Sequence, residues 1–334
     1  MIFILKTTCK PILEVRDLYI NFYTYAGIVK AIDGVSFTIC EGEIFCLVGE
    51  TGCGKSVTSR AITKLVPNPG KIEKGEIIYY TPQGKIDLLK LSEEELRKIR
   101  GKEIAYIFQD PSSALDPLFT IGYHVAETMV EHKTVRNLKE GLQKAIYILK
   151  TVLIPDPEKR VKAYPHELSG GLKQRSVIGI GLSNKPRIVI ADEPTSNLDV
   201  TIQAQILDLL KKLREREGLT VILITHNMGV VAKMCDRVAV MYAGNIVELG
   251  PTERIFENPL HPYTKGLLRA VPNPLIKIER LESIPGTVPN LIYPPPGCRF
   301  HPRCPYTMDE CKRRKPKLIE IEDGHYVACW LYAG

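Results

Sequence analysis

The chain has no uninterrupted apolar run of 18 or more residues, the length a helix needs to cross a bilayer, which argues against a membrane-spanning helix. Its opening, Met1-Ile2-Phe3-Ile4-Leu5 before Lys6, lacks a basic flank and a cleavage site. The expectation is therefore a chain without a secretory leader, in the cytoplasm. Neither sign of charge dominates: 45 basic against 38 acidic residues leave +7, a balance that by itself names no nucleic-acid partner. Sustained heptads are also absent, which leaves out a long coiled coil. Cysteine is not scarce, but its nine residues are an odd number and unevenly placed. Cys9, Cys40, Cys46, Cys53 and Cys235 are scattered, whereas Cys298, Cys304, Cys311 and Cys329 crowd into the C-terminal end. A cytosolic chain keeps its thiols reduced, so the clustering argues for metal rather than disulfides.

What is present is an ordinary globular composition, 44% hydrophobic and 25% charged over 334 residues. That length suits roughly two domains. The segment Gly49-Glu50-Thr51-Gly52-Cys53-Gly54-Lys55-Ser56 fits the G-x-x-x-x-G-K-[ST] pattern, and the apolar run Ile44 to Val48 leads into it as a strand. Its glycines allow the backbone N–H groups to converge, and a helix starting near Lys55 adds the positive end of its dipole. A polyphosphate is the natural guest, with Lys55 on the β- and γ-phosphates and Ser56 on magnesium.

Upstream, Pro11 to about Phe37 alternates like a small antiparallel sheet broken at Gly27 and at Asp33-Gly34. Tyr25 in this region suits base stacking or ordinary packing. Downstream, a helix runs from Val57 to Leu65 before Pro67 and Pro69, and a strand follows near Gly75 to Tyr79. Ser92 and Glu95 have capping-box spacing, which predicts a short charged helix from Glu93 to Arg100. The strand Ile104 to Phe108 ends at Gln109, a candidate magnesium or water ligand. Val125, Met129, Leu142, Ile146 and Leu149 then mark amphipathic helices.

Ser169-Gly170-Gly171 opens a further helix, either as a simple N-cap or as a second anion site. A buried strand, Arg187 to Ala191, ends in Asp192-Glu193. On a phosphate-loop protein the aspartate of such a pair holds magnesium, and the glutamate is placed to orient or deprotonate the attacking water. Asp199 reads as the cap of a helix from Val200 to Arg216. The strand Val221 to Ile224 finishes in Thr225-His226, at the edge that faces the ligand crevice in this kind of fold.

Gly49 to Ser56, Gln109, Leu168 to Gln174, Asp192-Glu193 and His226 occur in the order and approximate spacing of the ATP-binding cassette of ABC transporters, which residues 11–260 resemble. The resemblance implies an α/β P-loop NTPase fold: a RecA-like core with an antiparallel β-subdomain and a helical subdomain at about 115–180, followed by a small cysteine-rich extension over 261–334. It implies ATP and Mg2+ on Gly49, Glu50, Thr51, Gly52, Cys53, Gly54, Lys55, Ser56 and Val57, with Tyr25 stacking on adenine. Gln109, Asp192 and Ser56 would serve the metal, Glu193 would be the general base, and His226 would contact the γ-phosphate. Ser169, Gly170 and Gly171 would reach the nucleotide held by a second cassette subunit, alike or different. Asp199 would end the loop that crosses this dimer interface, where the family often has alanine in place of Asn197.

Gln109 to Pro117 and Asn258 to Lys265 look like the cassettes of oligopeptide, dipeptide and nickel importers. This likeness implies a peripheral subunit at the cytoplasmic face of the membrane, paired with two transmembrane permease subunits and an external solute-binding protein. A soluble cassette ATPase acting on ribosomes or DNA is the rival, but such proteins usually carry two cassettes or a long insertion, and only about 110 residues separate the phosphate loop from Ser169 here. Cys298, Cys304, Cys311 and Cys329 are separated by five, six and 17 residues, with no sheet or helix periodicity between them. Four thiolates accept an iron–sulfur cluster or zinc. The resemblance favours [4Fe–4S] over Zn2+ and over unliganded packing cysteines. Its distance in sequence from every hydrolytic residue points to a structural role, and His301 and His325 could replace a ligand but read as surface residues.

Overall fold

A computed structural model describes residues 9–195, 198–270 and 284–333. The chain divides into two compact units, one made of the stretches before Leu91 and after Leu223, the other of Leu91–Leu223.

The first unit opens with strands β1 (Pro11–Thr24) and β2 (Gly27–Cys40), an antiparallel hairpin that buries Leu13, Val15, Leu18 and Ile20 on one side. Sequence predicts a break at Asp33-Gly34; β2 instead runs through it. Leu18 pairs with Val35 and Tyr19 with Asp33, so Gly34 is an extra residue, and at φ +71 it forms a bulge without the steric cost a side chain would bring. Strand β3 (Ile44–Val48) is buried at every position and delivers the chain to the phosphate loop. Helix α1 (Lys55–Ile62) stops short of Leu65, with Lys64 in the left-handed region that commonly ends helices. Strands β4 (Gly70–Thr81) and β5 (Gly84–Asp87) complete a four-stranded sheet in the order β2-β1-β4-β5.

The second unit begins with α2 (Glu93–Ile99), where both bonds of the Ser92/Glu95 capping box are made. Strand β6 (Ile104–Ile107) is followed by the helices α3 (Ile121–Glu131), α4 (Leu138–Thr151), α5 (Pro157–Arg160) and α6 (Gly170–Leu182). Val125, Met129 and Leu149 are buried in this group, as their helical spacing requires. Strand β7 (Ile188–Asp192), parallel to β6, precedes α7 (Val200–Glu217) and β8 (Thr220–Thr225), giving the order β8-β7-β6. Asp199 caps α7 by accepting the Ile202 N–H at 2.9 Å.

The chain returns to the first unit through α8 (Met228–Met234), β9 (Arg237–Tyr242), β10 (Asn245–Pro251), α9 (Thr252–Glu257) and α10 (Pro262–Arg269). The C-terminal stretch adds α11 (Asp309–Arg313), β11 (Ile319–Glu322) and β12 (His325–Val327). These strands form a mixed sheet in the order β11-β12-β10-β9-β3, with β9 and β3 parallel. The expectation of no regular element among the last cysteines is corrected here: α11, β11 and β12 lie between Cys304 and Cys329, and elements of three to five residues are too short for a period to show. His325, expected at the surface, is fully buried and hydrogen-bonds Glu248 at 2.9 Å. Glu248 also accepts the N–H groups of Leu260 and His261, at 2.7 and 2.8 Å.

The expectation of reduced thiols is likewise corrected at two places. Cys9 and Cys40 form a disulfide because Cys40 sits opposite Pro11 in the hairpin, and Cys46 of β3 is bridged to Cys235 at the end of α8. Among the described residues no helix is long and apolar enough to cross a membrane.

Candidate nucleotide-binding and catalytic site

The loop between β3 and α1 is held in a form that only glycine permits at its first position. Gly49 has φ +148, and a Cβ there would stand 2.2 Å from the Met241 carbonyl oxygen. Lys55 is buried and donates its ammonium to the Gly49 and Glu50 carbonyls at 2.7 and 3.1 Å. Thr51 and Gly52 are exposed, whereas Cys53 is buried and burial pushes its thiol pKa up. Gly54 stands at the N-cap of α1, which has no side-chain cap and no acidic residue in its first turn. Ser56 and Val57 follow in that turn, half-buried. A helix start left uncapped by side chains, preceded by a tight loop, suits an anion with several oxygens.

Sequence reasoning missed the residues that hold this loop from behind. Tyr263 of α10 accepts the Glu50 N–H at 2.9 Å through its hydroxyl. Burial pushes the Tyr263 phenol well above its ordinary pKa, so it stays protonated. Arg303 makes a two-pronged contact to the Glu50 carboxylate, at 2.8 and 3.1 Å. Arg299 donates to the Ala243 carbonyl at 2.5 Å, next to Gly244, whose N–H bonds the Cys53 carbonyl at 2.9 Å. Tyr263 lies in the Asn258 to Lys265 segment, singled out only for its likeness to importer cassettes, and the two arginines lie between Cys298 and Cys304, a stretch read for its thiols.

In the second unit, Asp192 ends β7 and is buried, and the Tyr106 hydroxyl donates to it at 2.9 Å. Glu193 follows at φ +45, an uncommon conformation for a residue with a side chain, which turns the chain sharply at the strand end. Gln109, just past β6, donates its amide to the Glu193 carboxylate at 2.9 Å. Two parallel neighbouring strands thus bring together residues 84 apart in sequence. Ser169 caps α6 by accepting the Leu172 N–H at 3.4 Å. With Gly170, Gly171, Arg175, Asp199 and Ile202 it lines a cavity of about 540 Å³. Arg175 is buried and committed to the Leu153 carbonyl at 2.6 Å and to Gln205, so it serves the fold here.

His226, in the first unit, is exposed directly after β8. Asn227 beside it caps α8 through the Gly229 and Val230 N–H groups. Tyr25 is fully exposed at the tip of the β1–β2 hairpin. Asn197 lies outside the described residues.

Residues 32–196 match the family model of the ABC transporter, and residues 247–311 match that of the oligopeptide/dipeptide transporter C-terminal region. The dipeptide transport ATP-binding protein DppD of Bacillus subtilis (strain 168) is 48% identical over 323 residues, 96% of this chain and 95% of that protein. The chain belongs to the ABC transporter family. The oligopeptide transport ATP-binding protein OppD of Bacillus subtilis is 49% identical over 96% of this chain and 88% of its own length. Among solved structures, a dimeric post-hydrolysis ATP-binding cassette bound to ADP and Pi superposes with a TM-score of 0.64 at 29% identity, covering 72% of this chain and 98% of that one. CbiO1 from Clostridium perfringens, part of an ABC transporter complex, gives 0.60 at 28% identity over 74% and 91%. As an ABC ATPase the chain acts on ATP, with Mg2+ as the expected metal.

The four C-terminal cysteines of this ABC cassette are all free. Burial pushes the Cys298 and Cys329 thiols up to about 12 and 11, with the neighbouring cysteines adding to the rise. Cys304 is raised in the same way by burial and by Cys311. The N–H of Cys298 donates to the Cys311 carbonyl at 2.8 Å. The four thiols are thus within electrostatic reach of one another, but among the described residues no group of three or more His, Cys, Asp or Glu is arranged to hold a metal ion. His301 is committed through Nδ1 to the Cys298 carbonyl at 2.9 Å.

Proposed function

We propose that this chain is the ATP-hydrolysing subunit that powers uptake of dipeptides or oligopeptides through a membrane ABC transporter. The match of residues 247–311 to the C-terminal region of oligopeptide/dipeptide transporters carries the reading, because the transporters' cassettes otherwise look alike. The relatives named for dipeptide and oligopeptide transport support it over nearly the full chain.

In this reading Gly49, Glu50, Thr51, Gly52, Cys53, Gly54, Lys55, Ser56 and Val57 cradle the phosphates, and Tyr25 stacks on the adenine. Ser56, Asp192 and Gln109 would hold magnesium, which when bound would supply neutralisation of phosphate charge. Glu193 takes a proton from the attacking water, Gln109 positions its carboxylate, and His226 keeps the water aligned. Ser169, Gly170 and Gly171 close over the nucleotide of a second cassette subunit, and the dimer drives two permease subunits fed by an external solute-binding protein. The chain then works as a peripheral protein at the cytoplasmic face of the membrane.

In this reading Cys298, Cys304, Cys311 and Cys329 are the ligand set for a [4Fe–4S] cluster with a structural role, supported by their being free thiols within electrostatic reach of one another, although as they stand they are not arranged to hold a metal ion. The cluster would supply a staple among elements too small to hold themselves together.

Reconstitution with permease subunits and binding protein in liposomes tests the transport reading: peptide is expected to stimulate ATP hydrolysis and accumulate inside. Stimulation by nickel alone, or co-sedimentation with ribosomes in place of membrane capture, would overturn it. Anaerobic purification is expected to give a coloured protein with four iron and four sulfide on the four-thiolate reading. A colourless zinc protein would overturn that part alone.

A further inference from the structure

We propose that Arg303 is a positioning residue for the phosphate loop, acting through Glu50 and making the C-terminal region part of the nucleotide site. The guanidinium meets the Glu50 carboxylate with both terminal nitrogens, and its side chain is only 6% exposed. It lies 5.7 Å from the centre of the Tyr242 ring, and its Nε donates to the Pro285 carbonyl at 2.8 Å. A guanidinium keeps its proton at any working pH, so Arg303 meets the carboxylate as a cation.

Glu50 is gripped at three points. Its carboxylate goes to Arg303, its N–H to Tyr263, and its carbonyl accepts the Cys53 N–H at 3.2 Å as well as the Lys55 ammonium. A carboxylate in a loop shaped for a polyanion repels the guest, and the more so the less water lies between them. Arg303 cancels that charge and keeps the carboxylate turned to the C-terminal side. Arg299, four residues earlier, holds the Ala243 carbonyl beside the Gly244 to Cys53 bond. The segment from Cys298 to Cys304 therefore braces the loop from 253 residues away in sequence.

The inference rests on the loop being the nucleotide site, so the test includes a control for that reading. A fluorescent ATP analogue is titrated into the full chain without magnesium, which excludes turnover, and thermal melting is recorded alongside. Arg303→Ala is expected to weaken binding about tenfold. In a Glu50→Gln background the same change is expected to weaken it less than about twofold, because the charge to be cancelled is gone. Equal loss in both backgrounds marks Arg303 as merely structural and overturns the proposal, as does wild-type affinity in Arg303→Ala. Arg303→Lys keeps the charge but loses the fork, and about threefold weaker binding is expected; it keeps the cycle readable if truncation does not fold. Full binding by Lys55→Ala would overturn the nucleotide reading itself, whereas loss there with no effect of Arg303→Ala would overturn only the brace.

Discussion

Gln109 donates its side-chain amide to the Glu193 carboxylate at 2.9 Å, linking the ends of the parallel strands β6 and β7. One glutamine thereby sets the direction of the carboxylate to which the proposed function gives the part of general base. Removing the base and removing its director have different consequences.

Glu193→Gln is expected to lower ATP hydrolysis by about 100-fold or more, the usual contribution of a general base. ATP affinity is retained, and size-exclusion chromatography with ATP is expected to show a lasting dimer. Turnover at the wild-type rate in a phosphate-release assay would remove Glu193 from this role.

Gln109→Ala leaves the base in place but unaimed. Hydrolysis is expected to fall about tenfold, less than in Glu193→Gln, since misplacement costs less than loss of the proton acceptor. The ratio of the two variants' rates under saturating ATP checks this ordering.

Gly49→Ala puts a methyl group 2.2 Å from a backbone oxygen and at a φ of +148. The nearest atom is backbone, not the far end of a flexible side chain, so the loop must shift. Nucleotide binding by the titration described above is expected to fall below detection while far-ultraviolet dichroism stays that of a folded chain.

Glu248→Ala leaves His325 and the N–H groups of Leu260 and His261 without their shared acceptor inside the protein. A loss of about 3 kcal/mol is expected by denaturant unfolding, the scale for stranding buried polar groups. Hydrogen exchange at β12 is expected to accelerate more than at β3.

His261 is fully buried, and burial depresses its pKa to about 4; its Nδ1 accepts the Tyr263 N–H at 3.0 Å and caps α10. In the unfolded chain the imidazole binds a proton near pH 6.5, so the unfolded state is the one favoured as acid is added. This contribution to stability is whole above pH 6.5 and is lost as pH falls toward 4, by up to about 3 kcal/mol. His261→Asn keeps a capping oxygen and removes the titration, so its unfolding free energy is expected to depend less steeply on pH across that window.

Much of this chain is legible along the sequence because its decisive features are local. The β3 strand, the glycine pattern of the loop, the Ser92/Glu95 capping box and the Asp199 cap each depend on residues a few positions apart. Their physics is backbone sterics, capping and alternation, all readable from neighbours. Hydrophobic periodicity similarly locates α3 and α4, whose faces need eleven residues or more to bury.

The tertiary structure alone decided what those local pieces touch. Gly34 lets two expected strands run on as one because it is the extra residue between the Leu18–Val35 and Tyr19–Asp33 pairs, and His325 is buried where the neighbouring strand β10, 77 positions earlier in sequence, brings Glu248 to it. Glu50 shows the limit most plainly. Its place in the phosphate loop is set by a motif of eight residues, but its charge is cancelled by an arginine 253 positions on, and a long-range ion pair leaves no periodic trace in the sequence.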